Sequence, residues 1–69
     1  MKSKNTKTRI GKILKNLRIA NCLNRQAVAS FLEIKTKDYK AIEAGRKNLF
    51  MSKVILLARF YDISLDIFK

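Results

Sequence analysis

From Ile10 onward the apolar residues recur three and four positions apart, and no proline interrupts them, so the backbone is free to stay helical almost throughout. Ile10, Ile13, Leu14 and Leu17 lie on one face of a first helix, with Lys12, Lys15 and Asn16 opposite, and the pattern ends near Asn21. Asn24 is a good N-cap for a second helix over about 25–32, whose Val28, Phe31 and Leu32 are spaced to face inward. Glu33, Ile34 and Lys35 interrupt the pattern. Thr36 offers a cap for a short third helix over about 36–44, with Tyr39 and Ile42 on its buried side and Gly45 as the left-handed stop. Met51, Val54, Leu57, Ala58 and Tyr61 mark a fourth helix, and Asp62 and Ser64 break the chain before a last turn at Leu65 to Phe68. Neither strand alternation nor an internal repeat is present. The expected fold is all-α, a compact five-helix bundle over 9–69, preceded by a flexible basic arm over 1–8 whose polar, aperiodic residues have no face to bury.

At 69 residues there is room for one domain, near the lower limit at which an apolar core holds a fold unaided. One cysteine and no histidine exclude an internal disulfide and a zinc site, so the 48% of hydrophobic residues must stabilise the fold alone. Cys22 is expected to pack near the end of the first helix, and the lack of disulfides, secretory signal or membrane-spanning apolar run points to a reducing cytoplasm.

Sixteen Lys and Arg against five Asp and Glu give a formal charge of +11, which calls for a polyanionic partner. The charge is uneven, because Lys2, Lys4, Lys7, Arg9, Lys12, Lys15, Arg18 and Arg25 all precede the first acid, Glu33. Charge alone does not separate DNA from RNA or an anionic membrane; the arrangement of the helices does. Two short helices joined by a few residues, then a glycine stop and a basic loop, have the spacing of a helix-turn-helix, in which the second helix enters the major groove.

The stretch LNRQAVASFLEIKTKDYKAIEAG, Leu23 to Gly45, resembles the Cro/CI-type helix-turn-helix family, also called XRE, of phage repressors and small bacterial regulators. The resemblance extends from Ile10 to Phe68. It rests on Leu23-Asn24 opening the second helix, Ala29 within it, Ile34 in the turn, Ile42-Glu43-x-Gly45 closing the third, and Leu57-Ala58 with Ile63-Ser64-Leu65-Asp66 near the end. It implies a lambda-repressor-like domain and a structural ion pair between Arg18 and Glu43. Ala29 is expected to be small because helices cross closely there, with Ile34, Tyr39 and Ile42 filling the wedge. Two residues depart from the family pattern. Glu33 replaces a glycine at a position that is often left-handed, where it costs roughly 1–2 kcal/mol unless the turn is reshaped. Lys35 occupies the usual Ser/Thr cap, which moves the expected cap to Thr36.

The resemblance places Thr36, Lys37 and Ala41 where the family reads bases, and Lys35 and Lys40 share that exposed side of the third helix. Arg25, with Gln26 beside it, stands where the family grips a phosphate at the start of the second helix. Arg46, Lys47 and Asn48 match the loop that touches further phosphates, and Lys7 and Arg9 continue the basic track with Lys2 and Lys4. Leu49, Phe50, Leu56, Phe60 and Ile67 are apolar yet lie off the expected core face, a surface suited to a homodimer on a palindromic site.

The rival readings are an antitoxin-type module, whose apolar patch would hold a protein partner while its basic face holds an operator, and a membrane-surface protein. The second fits poorly because the later helices bury their own apolar faces. An enzyme is not expected: there is no histidine, no paired acids in a cleft, no glycine-rich phosphate loop and no base beside Cys22. No cofactor and no metal is expected. The expected function is transcriptional regulation, most simply repression.

Overall fold

A computed structural model describes residues 6–68. In chain order it contains α1 (Thr6–Ala20), α2 (Arg25–Leu32), α3 (Thr36–Glu43), α4 (Met51–Phe60) and a single 3-10 turn, Leu65–Phe68, with no strand among the described residues. The expected five-helix bundle is therefore four α-helices and one 3-10 turn. Four residues complete only one turn, and the Ser64 hydroxyl accepts from the Asp66 N–H at its start (3.2 Å).

The first helix begins earlier than hydrophobic periodicity indicates. Thr6, Lys7 and Thr8, expected in the arm, are helical. Tertiary contacts that leave no periodic signature hold this turn: Thr8 lies against Gly45, and Arg9 Nη2 donates to the Phe68 carbonyl at 3.1 Å. The rest of the expected arm, residues 1–5 with Lys2 and Lys4, lies outside the described residues.

All four helices end alike. A left-handed residue follows each, at Cys22 (φ 58°), Glu33 (φ 60°), Gly45 (φ 81°) and Asp62 (φ 57°). In each case two hydrogen bonds close the end, as at α2, where Glu33 N–H donates to Ser30 O (3.1 Å) and Ile34 N–H to Ala29 O (3.0 Å). The next residue folds back on the core after three of the four turns: Leu23, Ile34 and Ile63. Only one left-handed position is glycine, so the other three each store roughly 1–2 kcal/mol of backbone strain. The α2–α3 turn is thus not reshaped around Glu33; it keeps the left-handed geometry (φ 60°, ψ 41°) and carries the strain. Cys22, expected to pack, is exposed, because the turn sends Leu23 inward in its place.

The Asn24 side chain caps α2 by accepting from the Ala27 N–H (2.8 Å). At α3 the cap has not moved to Thr36: Lys35 is the N-cap, with extended backbone and no side-chain cap bond.

Leu14, Val28, Ala29, Leu32, Tyr39, Ile42, Val54, Leu57, Ala58 and Phe68 form one buried cluster. Two residues expected in the core are outside it. Phe31 is 41% exposed, stacked on Phe60 at the α2–α4 seam, and Met51 is 67% exposed at the first position of α4. Leu49, expected on the surface, packs against the cluster.

α1 and α3 approach closely at Gly11. A Cβ on the buried Gly11 would stand 2.6 Å from the carbonyl oxygens of Ile42 and Glu43, so α1 meets the end of α3 backbone to backbone. Gly11→Ala must push the two helices apart and is expected to destabilise the fold by about 1–3 kcal/mol. Glu33→Gly relieves a left-handed side chain and is expected to stabilise it by up to about 1 kcal/mol. Urea unfolding of both variants measures the two effects, and a neutral Gly11→Ala refutes the close approach.

Candidate nucleic-acid interface

α3 buries Tyr39, Ile42 and Glu43 and leaves Lys35, Thr36, Lys37 and Lys40 exposed, with Ala41 half-buried at the edge. All five residues expected to read bases therefore lie off the buried face, which packs on α1 and α2. Helical geometry produces this separation, since positions 36, 37 and 40 fall opposite 39, 42 and 43.

A buried ion cluster sets the attitude of this helix. Arg18 near the end of α1 donates through Nε to Glu43 Oε2 at 2.7 Å and through Nη2 to Oε1 at 3.3 Å. Its Nη1 donates to the Leu23 carbonyl at 2.9 Å, which ties the α1–α2 turn to the same group. The carboxylate has a second cation, because Arg25 Nε donates to Oε1 at 3.2 Å. Glu43 and Arg18 side chains are 3% and 10% exposed and that of Arg25 is 40% exposed, so the cluster runs from interior to surface. The Tyr39 and Tyr61 hydroxyls are buried nearby, and among the described residues neither meets full hydrogen-bond geometry, although Tyr39 lies close enough to the Glu43 carboxylate for the two to interact. Burial first, and then the Glu43 charge, push both tyrosines above their ordinary range. Burial by itself would raise the Glu43 carboxyl as well, but Arg18, Tyr39 and Arg25 outweigh it and hold it below the usual carboxylate value.

The remaining sequence-identified residues take different positions. Gln26 is exposed at the start of α2, and Arg46, Lys47 and Asn48 are exposed in the α3–α4 loop. Lys47 Nζ is 3.1 Å from Asp38 Oδ1, an ion pair between the loop and the first turn of α3. Lys7 is half-buried in α1, and Arg9 is exposed but anchored on the Phe68 carbonyl. Phe50, Leu56, Phe60 and Ile67 are exposed by 77%, 40%, 46% and 46%. Phe31 extends this apolar surface, its ring 4.6 Å from that of Phe60.

Sequence reasoning missed the second cation on Glu43, the Asp38–Lys47 pair, and Lys53, whose Nζ donates to the Leu32 carbonyl at the end of α2 (2.8 Å). All three join separate elements, and spacing along the chain carries no signal for them. Phe31 was legible as apolar, but its place at the seam depends on where α4 crosses.

Two eight-residue helices packed on each other through a left-handed turn, with the second wedged against a longer basic helix, define a helix-turn-helix domain. The chain superposes on the crystal structure of the restriction-modification controller protein C.AhdI from Aeromonas hydrophila with a TM-score of 0.79, covering 91% of this chain and 96% of that one. At 22% identity the likeness is one of fold, and it is the fold that the Cro/CI-type resemblance implies. No known family profile matches the sequence, and no curated protein does.

Removing one partner of the buried pair strands the other charge, so Glu43→Ala is expected to cost about 3–5 kcal/mol, enough to bring so small a domain close to unfolding. Because the Glu43 pKa is lowered in the folded state, its contribution is complete above the ordinary value of 4.5 and disappears as acid titrates the folded carboxyl. The urea midpoint of the native chain should therefore fall as pH drops below about 4.5. In Glu43→Gln that dependence should be shallower, and parallel curves for the two proteins refute the assignment.

Proposed function

We propose that this chain is a sequence-specific double-stranded DNA-binding regulator of transcription that lays α3 in the major groove and represses by occupying a palindromic operator as a homodimer. The observation that carries the reading is the outward lysine-rich face of α3, held at a set attitude by a buried cluster beneath it. Thr36, Lys37 and Ala41 are the proposed base readers, flanked by Lys35 and Lys40. A lysine can donate to guanine N7 and O6, and the methyl groups of Thr36 and Ala41 suit a thymine methyl.

Arg25, Gln26, Arg46 and Asn48 are the proposed phosphate contacts at the two ends of the motif. Lys47 and Arg9 are weaker candidates, since each already has an internal partner in Asp38 and the Phe68 carbonyl. Lys7 lies on the same basic helix as Arg9. A fold shared with a restriction-modification controller protein supports a regulatory role over an enzymatic one. No described helix is long and apolar enough to cross a membrane.

One domain of this size reads only a few base pairs, so useful specificity needs two copies about a two-fold axis. The exposed apolar residues Phe50, Leu56, Phe60 and Ile67, joined by Phe31, are the proposed contact between copies. Each of these side chains is 40% or more exposed, apolar surface that a second copy would cover.

Selection of bound duplexes from a random pool tests the whole reading, with a two-fold symmetric motif as the expected result. If about five phosphates are neutralised per subunit, log affinity should fall with log salt at a slope of about −4 to −5 per subunit. Lys37→Ala should cost about 1–3 kcal/mol on the selected site and little on a scrambled one, whereas Arg46→Ala should weaken both and reduce the slope by about one. Equal affinity for selected and scrambled duplexes at near-physiological salt overturns the reading.

A further inference from the structure

Glu43 holds two arginines and needs only one for charge balance. Arg18 is buried with it and bonds both carboxylate oxygens. Arg25, at the first position of α2, touches the same carboxylate with Nε alone, and its side chain is 40% exposed. Among the described residues its two terminal nitrogens, Nη1 and Nη2, have no hydrogen-bond partner.

We propose that Glu43 is a positioning residue for DNA binding: it holds the Nε edge of Arg25 so that the outer edge of the guanidinium faces a backbone phosphate. The inference rests on the DNA-binding reading and deepens it, by giving one buried carboxylate two tasks. Toward the interior it sets α3 on α1, and toward the surface it aims an anion-binding side chain.

Three features of the geometry carry the argument. The guanidinium is planar with five N–H donors, so the one on Nε can be committed to a carboxylate while the four on Nη1 and Nη2 stay available in the same plane. A lysine has no such division of labour; the one nitrogen of Lys47 that would meet a phosphate is the nitrogen engaged by Asp38. Next, two cations on one anion leave the cluster with a net positive charge, so Glu43 tethers Arg25 without cancelling its attraction for a polyanion. Finally, a long exposed side chain gives up rotamer freedom when it grips a ligand, and a tethered one has already lost much of it. The tether also carries information about attitude. Glu43 is the last residue of α3 and Arg25 the first of α2, so a phosphate bound at Arg25 registers on the helix proposed to read bases.

The test uses the full chain and its selected duplex. Arg25→Lys keeps the charge but cannot offer one edge to Glu43 and another to phosphate. It is expected to weaken binding about tenfold with an unchanged salt slope, while Arg25→Gln weakens it further and lowers the slope by about one. Glu43→Gln should weaken binding more when Arg25 is present than in the Arg25→Gln background, where only its hold on α3 is left to lose. Should Glu43→Gln fail to fold, nitrogen-detected NMR of the native chain supplies the second readout. The Arg25 Nε–H should be protected from solvent in the free protein and remain so on DNA.

Native-like binding by Arg25→Lys, equal losses from Glu43→Gln in both backgrounds, or an Arg25 Nε–H that becomes exchangeable on DNA each overturn the proposal. A native chain that does not prefer its selected duplex sinks the DNA reading itself, an outcome distinct from selective binding that is indifferent to Arg25→Lys.

Discussion

The carboxylate of Glu43 is the point on which the rest of the structure depends. It closes α3, lies almost completely out of solvent, and binds Arg18 from α1 and Arg25 from α2. A charge buried this deeply is tolerated only because its lone pairs are occupied, and the same requirement permits very few relative placements of three helices. Replacing such a cluster with apolar residues often leaves stability unchanged or improved, so its value lies in geometry more than in energy. Apolar packing here tolerates small shifts; an Nε–Oε2 distance of 2.7 Å does not.

Gly11 belongs to the same arrangement. Its missing Cβ lets α1 approach the carbonyls of Ile42 and Glu43, which brings Arg18, two turns further along α1, within reach of the carboxylate. With a side chain at that point the helices would stand off, and the ion pair would lengthen. Close approach and buried charge are two parts of one joint, and the exposed lysines of α3 take their direction from it.

A domain this small has little stability to spare, yet it carries left-handed strain at Cys22, Glu33 and Asp62. What offsets the strain is local. Each of these turns closes two backbone hydrogen bonds and returns an apolar residue to the core, namely Leu23, Ile34 and Ile63. The short connections leave α2 and α3 eight residues each, and an eight-residue helix buries only a narrow face. Phe31 and Phe60 meet at the seam between α2 and α4 and are left at the surface, because no other element among the described residues covers them.

Periodicity and caps were enough to place α2, α3 and α4 to within a residue or so, since the apolar stripe, the Asn24 cap and the Gly45 stop are local properties of the chain. The exposed face of α3 was legible for the same reason, because a helix buries one side and shows the other. The start of α1, whether the turn at Glu33 keeps its left-handed form, the surface position of Phe31 and the second arginine on Glu43 were not. Each depends on what another element brings alongside: Gly45 and Phe68 for the first turn of α1, Ile34 wedged into the core for the turn at Glu33, α4 for Phe31 and α3 for Arg25. By itself the sequence determined which residues are helical, which faces are apolar and how much positive charge must find a partner, because these follow from short-range spacing and composition. Only the tertiary structure decided which charges meet, since an ion pair between Arg25 and Glu43 is a matter of a few ångströms between helices, and no pattern along the chain encodes that distance.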